Sequence, residues 1–296
     1  MKLIRFRREG EIAIGVLLDQ DIVVHLAAAS GGDTQRFPAS MSQFLARGEE
    51  GRKDAAEVSS HASGDSTYPL ASVTLLSPVG DPPKIMCIGQ NYRDHCEEQN
   101  QPIPPRIILF AKFTTALNDP DGVIFLPKVA EKVDYEAELA FVIGGKGGGR
   151  NISESEALEH VAGYMCANDV SARDIQQHPD EKQWIRGKSP DSFFPIGPWI
   201  VTSDEIQDPH NLDISLMLNG ERRQNSNTSN LIFKIPFIIA HLSKTMTLQP
   251  GDIVATGTPG GVGIYSNPPV VLKPGDTVSV TIQKIGTLTN TVERGE

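Results

Sequence analysis

Cysteine is scarce in this chain, and the little there is carries no pattern. Cys87, Cys96 and Cys166 are the three among 296 residues, an odd number without metal-ligand spacing. That argues against a disulfide scaffold or a cysteine zinc site and suits a reducing compartment. Basic charge is in deficit as well: 27 Lys and Arg against 37 Asp and Glu leave a net charge of -10. Nucleic acid and anionic membrane surfaces are therefore poor partners, and an acidic substrate needs a local positive centre. No apolar run approaches the roughly 18–20 residues of a membrane span, and residues 1–10 lack the apolar core of a secretory signal. Lys2, Arg5, Arg7 and Arg8 alternate with Leu3, Ile4 and Phe6, the pattern of a strand rather than of a transit peptide. The cytoplasm is the expected setting.

What is present is enough for a large core. Hydrophobic residues make up 39% and charged residues 22%, which allows one big domain or two unequal ones. The text divides near residue 75, so a small β-rich N-terminal domain is expected at 1–75 and a larger one at 80–296. Residues 2–26 predict two or three short strands about a Glu9-Gly10-Glu11 turn, and 40–56 predict a helix opening at Ser40 or Ser42. Residues 59–69, rich in Ser, Gly and His without a period, read as a linker. Beyond Lys84 strands and turns dominate, with short apolar runs at 84–88 and 106–113 and Pro-Gly turns at 248–252 and 272–276. Helices are expected at 153–160, opened by a Ser153-x-x-Glu156 capping box, after Asp169, and at 235–245 with Pro236 in the first turn. The sum is an α+β fold, mainly β.

The most informative stretch runs from Val133 to Val142. It reads as a strand in which Glu136 and Glu138 project to one side while Tyr135, Ala137, Leu139 and Phe141 project to the other. Beyond the glutamates their side carries Ala140 and Val142, so the paired carboxylates stand where the sheet turns apolar. That place is costly unless a cation neutralises them; a solvated strand face is the bland alternative. Asp169, at the exit of the apolar run 161–167, offers a third carboxylate and reads equally as the cap of the next helix. There Arg173 and Gln176 share a face able to hold a substrate carboxylate, although a solvated face also accounts for the pair. Lys188, among turn formers, reads by default as an exposed loop lysine.

His95 and Glu98 are three residues apart, the spacing at which a carboxylate orients an imidazole and raises its basicity, as in a general-base dyad. A surface Glu-His pair is the plain alternative. Cys96 adjoins His95, but helix neighbours do not face each other, which argues against a Cys-His nucleophile. The glycine-rich 144–150 lacks the spacing of a phosphate loop and reads as a flexible turn. His241 reads as a half-buried helix residue. The stretch Thr256 to Gly263 is a turn whose glycines would let backbone N–H groups approach an anion.

In order, Gly89-x-Asn91-Tyr92-x-x-His95-x-x-Glu98, Asp134-x-Glu136-x-Glu138, Asn168-Asp169-Val-Ser-Ala-Arg173-Asp-x-Gln176, Lys188 and Thr256-Gly-Thr-Pro-x-Gly-Val-Gly263 resemble the fumarylacetoacetate hydrolase family, from Lys84 to about Val292. The segments at 94–100, 167–174, 183–188 and 208–212 are most similar to its branch linked to oxaloacetate tautomerisation. The resemblance implies a mixed β-sheet roll around a metal pocket, a small N-terminal β-rich domain and a homodimer. It implies Glu136, Glu138 and Asp169 as ligands of Mg²⁺, with Mn²⁺ or Ca²⁺ as alternatives. It also implies His95 and Glu98 as an acid/base dyad on a mobile lid, the family spacing selecting Glu98 over the adjacent Glu97. Arg173, Gln176, Lys188 and Thr258 would hold the substrate's oxygens. Gln90 departs from the Arg or Leu of several relatives, and the mitochondrial matrix enters as an alternative compartment.

Three carboxylates suit a hard cation that keeps water or substrate oxygens in its other positions. The metal plus Lys188 would stabilise an enolate, the species shared by tautomerisation, decarboxylation and C–C hydrolysis. The expectation is a Mg²⁺-dependent enzyme acting on small 2-oxo dicarboxylates, first of all an oxaloacetate keto-enol tautomerase. The alternatives are a C–C hydrolase of acylpyruvate or fumarylpyruvate type and an oxaloacetate decarboxylase; a non-catalytic binding protein is the least favoured.

Overall fold

The computed structural model of the chain describes residues 1–180 and 183–295. Strands β1 (Lys2–Arg8), β2 (Glu11–Leu18) and β3 (Ile22–His25) form an antiparallel meander, as the alternation at the start of the chain requires. Helix α1 (Leu26–Ala29) follows, then α2 (Met41–Leu45), whose opening is capped by the Ser40 hydroxyl accepting from the Gln43 N–H. The single helix expected over 40–56 is two, because Gly48 at φ 58° breaks the right-handed path before α3 (Gly48–His61). The stretch read as a linker is structured: α3 runs to His61, and β4 (Thr67–Pro69) pairs with β3 as an edge strand. Its polar text belongs to that edge, anchored by Tyr68 packing on Phe6 and His25 with ring centroids 6.4 Å apart.

The remainder of the chain contributes β5 (Thr74–Leu76), β6 (Ile85–Gly89), α4 (Arg93–Glu98), β7 (Ile108–Ala111), β8 (Leu117–Asn118), β9 (Val123–Leu126), β10 (Val133–Asp134) and β11 (Ala137–Ile143). Then come β12 (Val161–Asn168), β13 (Ser171–Ala172), α5 (Arg173–Gln176), α6 (Ile185–Lys188), β14 (Phe194–Thr202), β15 (Asp213–Leu218) and β16 (Glu221–Asn227). The last are α7 (Ile235–Ser243), β17 (Ile253–Ala255), β18 (Thr277–Ile282) and β19 (Gly286–Arg294). The helix expected at 153–160 is a turn and a 3₁₀ segment, Ala157–His160. No capping box forms, since the Ser153 hydroxyl donates to the Glu156 carboxylate (2.7 Å) instead of accepting a backbone N–H. The glycine turn at 144–150 uses its amides internally: Gly144 and Gly145 donate to the His160 carbonyl and Lys146 to that of Glu159. His241 is exposed, not half-buried, and stacks on Phe237 at 5.8 Å.

Among the described residues a twelve-stranded sheet runs β4-β3-β2-β1-β14-β12-β11-β17-β6-β7, with β5 on β1 and β8 on β14. A five-stranded sheet, β16-β15-β18-β19-β9, and the pair β10-β13 complete the mixed-sheet, mainly β architecture. The N-terminal strands continue the large sheet through β1 against β14.

Strand β11 lies inside that sheet, and its alternation sorts side chains between two cores as the sequence pattern demands. Ala137, Leu139, Phe141 and Ile143, with Tyr135 ahead of them, pack with Ile214, Leu216, Val278 and Val280 of the smaller sheet. Ala140 and Val142 face the other core, with Phe44 and Leu45 of α2. The strand expected from 133 onward is interrupted at Tyr135 and Glu136, where side chains replace ladder partners. Glu136 N–H donates to the Asn168 side chain (3.0 Å) and Ala137 N–H to that of Gln224 (2.8 Å).

Phe141 is fully buried where the two sheets meet. Phe141→Ala is expected to lower the unfolding free energy by about 3–5 kcal/mol in urea titrations; a loss under about 1 kcal/mol would show that this core collapses around the deletion.

Candidate active site

Strands β11 and β12 pair with Ala137 opposite Asn168. That register brings Glu136, just before β11, Glu138 within it and Asp169, just after β12, to one point. One oxygen from each lies within 4.8 Å of the others, and all three residues are buried. Asp169 is not a helix cap: its carboxylate accepts from Lys112 (2.5 Å) and Lys188 (2.8 Å). Lys188, at the end of α6, also reaches Glu136 at 2.7 Å. It is only 2% exposed, a correction to its reading as a surface loop lysine. Arg173, at the start of α5, lies 2.7 Å from Glu136 and 2.9 Å from Asp134, and donates to Gln176 at 3.0 Å.

Burial works against ionisation of Glu136, yet Lys188 and Arg173 outweigh it and hold this carboxyl below its usual range. Glu138 goes the other way, since burial and the charges of Asp169 and Glu136 push it well up. Burial likewise disfavours the Lys188 ammonium, but Asp169 and Glu136 raise its pKa above the ordinary value. The donor set is oxygen only, buried and crowded with like charge, which fits a hard divalent cation; such an ion would relieve the repulsion that lifts Glu138.

His95 lies on α4 across the same cavity, of about 150 Å³, which Glu136, Glu138, Arg173, Gln176, Lys188 and Thr258 also line. Its Nδ1 is 2.8 Å from Glu98 Oε1, and its Nε2 is 2.6 Å from the side-chain amide of Gln99. Cys96 turns away, with its thiol toward the Gln90 carbonyl at 3.6 Å. The loop from 256 to 264 does bind anions, and they are the protein's own carboxylates. Gly257 N–H donates to Glu138 (2.8 Å), Gly261 N–H to Glu98 (2.7 Å), and the N–H groups of Gly263 and Ile264 to Asp134 (2.8 and 3.1 Å). Gly261 is at φ 100°, and a Cβ there would run into the Arg223 carbonyl, so only glycine lets this amide reach Glu98. Thr258 accepts from Gln224 at 2.8 Å, which sets the hydroxyl at the cavity wall.

The order of these blocks along the chain is matched by a family profile. The profile described as fumarylacetoacetate (FAA) hydrolase C-terminal covers residues 84–293. The chain belongs to the fumarylacetoacetate hydrolase family. Among relatives in the family, the Xenopus laevis oxaloacetate tautomerase fahd2, mitochondrial, is 48% identical over 256 residues, 86% of this chain and 79% of that protein. The Homo sapiens oxaloacetate tautomerase FAHD2A, mitochondrial, is 45% identical over 256 residues, 86% of this chain and 80% of that one. Maleylpyruvate hydrolase from Sphingobium sp. SYK-6, solved in complex with manganese(II) ion and pyruvate, is 33% identical with a TM-score of 0.81 over 100% of both chains. This family member is an enzyme of the isomerase or hydrolase kind.

Four side chains at the site have partners that their sequence context does not announce. Lys112 follows the apolar run of β7, where a fully buried lysine is the only hint of its bond to Asp169. Asp134 stands in the carboxylate block yet serves Arg173 and the glycine loop. Gln99 lies within the 94–100 segment and Gln90 is the position that departs from several relatives, and neither announces the bond between them.

Asp134 is fully buried beside Arg173. Asp134→Ala is expected to cost about 3–5 kcal/mol in denaturant titrations, the scale for stripping a buried ion of its partner. Stability within about 1 kcal/mol of the parent would mean that Glu136 alone suffices for Arg173.

Proposed function

We propose that this enzyme interconverts the keto and enol forms of oxaloacetate, with a divalent cation held by Glu136, Glu138 and Asp169. The observation that carries this reading is one cavity that opposes a carboxylate-oriented imidazole to a buried ammonium. A cation bound there would polarise the keto oxygen of a 2-oxo acid as a Lewis acid. Arg173, Gln176 and Thr258 hold substrate oxygens. With its Nδ1–H donated to Glu98, His95 offers the Nε2 lone pair, which takes a proton from C3 while the C–H electron pair becomes the C2–C3 double bond. Charge then appears on the C2 oxygen, where the Lys188 ammonium faces it. Return of that proton from Nε2 to the C2 oxygen completes the enol and regenerates the base, and the reverse sequence restores the ketone.

Support also comes from the relatives at 45–48% identity, which are named oxaloacetate tautomerases. The same names favour a mitochondrial matrix setting over the cytoplasmic expectation; among the described residues no helix is long and apolar enough to cross a membrane. A homodimer remains part of the reading on the strength of the resemblance. C–C hydrolysis of an acylpyruvate is the second reading, favoured by the manganese- and pyruvate-bound maleylpyruvate hydrolase relative.

A substrate panel with and without Mg²⁺, following enol absorbance and pyruvate release separately, decides between them. The expected result is Mg²⁺-dependent loss of the oxaloacetate enol with little pyruvate; rapid pyruvate release from an acylpyruvate alone would overturn it. His95→Ala is expected to reduce turnover by roughly 10²–10⁴, the scale of a general base. Glu138→Gln should weaken Mg²⁺ binding at least about tenfold in calorimetry, since ligand charge sets affinity for hard cations. Parent-like binding would remove Glu138 from the proposed ligands.

A further inference from the structure

The imidazole of His95 sits in a chain of hydrogen bonds whose direction is set from both ends. At one end Gly261 N–H donates to Glu98 Oε2 at 2.7 Å, and Glu98 Oε1 accepts from His95 Nδ1 at 2.8 Å. At the other, Gln90 Nε2 donates to Gln99 Oε1 at 3.3 Å, which leaves the Gln99 amide nitrogen, a donor only, 2.6 Å from His95 Nε2. The Nδ1 edge of the imidazole thus faces a carboxylate, and its Nε2 edge is covered by the side-chain amide of Gln99. Gln99 is the residue that closes α4, four positions after His95, and its backbone N–H donates to the His95 carbonyl at 3.3 Å. Guard and base are therefore on one helical unit, and a rigid shift of α4 does not separate them. Tyr265 covers another side of the ring, 6.3 Å between centroids.

We propose that Gln99 is a specificity-determining, positioning residue: its amide occupies the place where a nucleophilic water would meet His95, and so biases the site toward proton transfer and away from C–C hydrolysis. The inference rests on the tautomerase reading and deepens it. Hydrolysis needs a water whose proton passes to Nε2 as its oxygen attacks the acyl carbonyl. The C–C bond then breaks, its electron pair goes to the enolate of pyruvate, which takes up the proton, and the hydroxyl stays on the acid released. A water gains no net hydrogen bond by replacing the amide and must also be immobilised, so the exchange has no driving force. A substrate gripped through its own carboxylate and keto oxygen brings binding energy that displaces the amide.

The test compares the parent with Gln99→Ala, which empties the position, and Gln99→Leu, which keeps it filled without a donor. Three quantities are read: oxaloacetate enol loss, pyruvate release from an acylpyruvate, both in Mg²⁺, and the ¹⁵N imidazole spectrum of the metal-free proteins. Gln99→Ala is expected to raise hydrolysis relative to tautomerisation about two- to tenfold, the scale of one net hydrogen bond. Gln99→Leu should stay near the parent ratio. The Nε2 resonance of His95 should move in both variants, as a role in folding alone would not require. An unmoved resonance, an unchanged hydrolysis rate in Gln99→Ala, or an equal gain in Gln99→Leu each overturns the proposal. Failure of the tautomerase reading is distinct, because it shows as a parent enzyme that leaves the oxaloacetate enol unchanged.

Discussion

The architecture of this protein is organised by the need to accommodate carboxylates where there is little water. Asp134, Glu136, Glu138 and Asp169 are all buried, and so are the cations that face them, Lys112, Arg173 and Lys188. An unpaired charge in such surroundings is so unfavourable that it would neutralise or drag the chain open. Each positive group therefore comes from a different part of the chain, the end of β7, α5 and α6, and each must arrive for the others to be tolerated. The compensation is uneven: Glu136 is surrounded by cations, whereas Glu138 has one backbone N–H and two negative neighbours, and its carboxyl is pushed up in consequence. Such an imbalance is a reservoir for chemistry, because a further cation entering the site finds an unsatisfied carboxyl waiting.

The glycine loop after β17 solves the complementary problem. It has no charge, yet its N–H groups reach Glu138, Glu98 and Asp134, which belong to the proposed metal site, the His95 dyad and the Arg173 clamp respectively. A single backbone segment thus fixes the relative positions of three functional groups without adding a side chain that could titrate. The oriented amides act as fixed partial positive charges. Asn91 ties this loop down in turn, donating to the Thr256 carbonyl and holding Phe233 through both atoms of its own amide.

How much could be read beforehand follows the range of each interaction. The alternation of β11, the meander at the start of the chain and α7 with its early proline are local patterns, and each is visible in the text. The helix at 40–56 and the capping box at Ser153 failed for local reasons as well, a left-handed glycine and a hydroxyl that found a carboxylate, while the linker at 59–69 failed because a polar strand pairs with a distant one at the sheet edge. Lys188 failed for a non-local one, since its turn-forming neighbours describe the loop and say nothing of the carboxylates it meets.

By itself the sequence determined the residue types the site has at its disposal, three carboxylates with hard-cation chemistry and a His-Glu pair at helical spacing, and it determined their family through the order of the blocks. Only the tertiary structure decided what those residues face. Whether Asp169 caps a helix or accepts from two lysines, whether the glycine turn waits for a ligand or holds the protein's own carboxylates, and whether Gln99 is a surface amide or the cover on His95 Nε2 all depend on strand register and on contacts between distant segments. Side-chain chemistry is a property of the residue, but protonation, pairing and access are properties of its surroundings, and those exist only once the chain has closed around them.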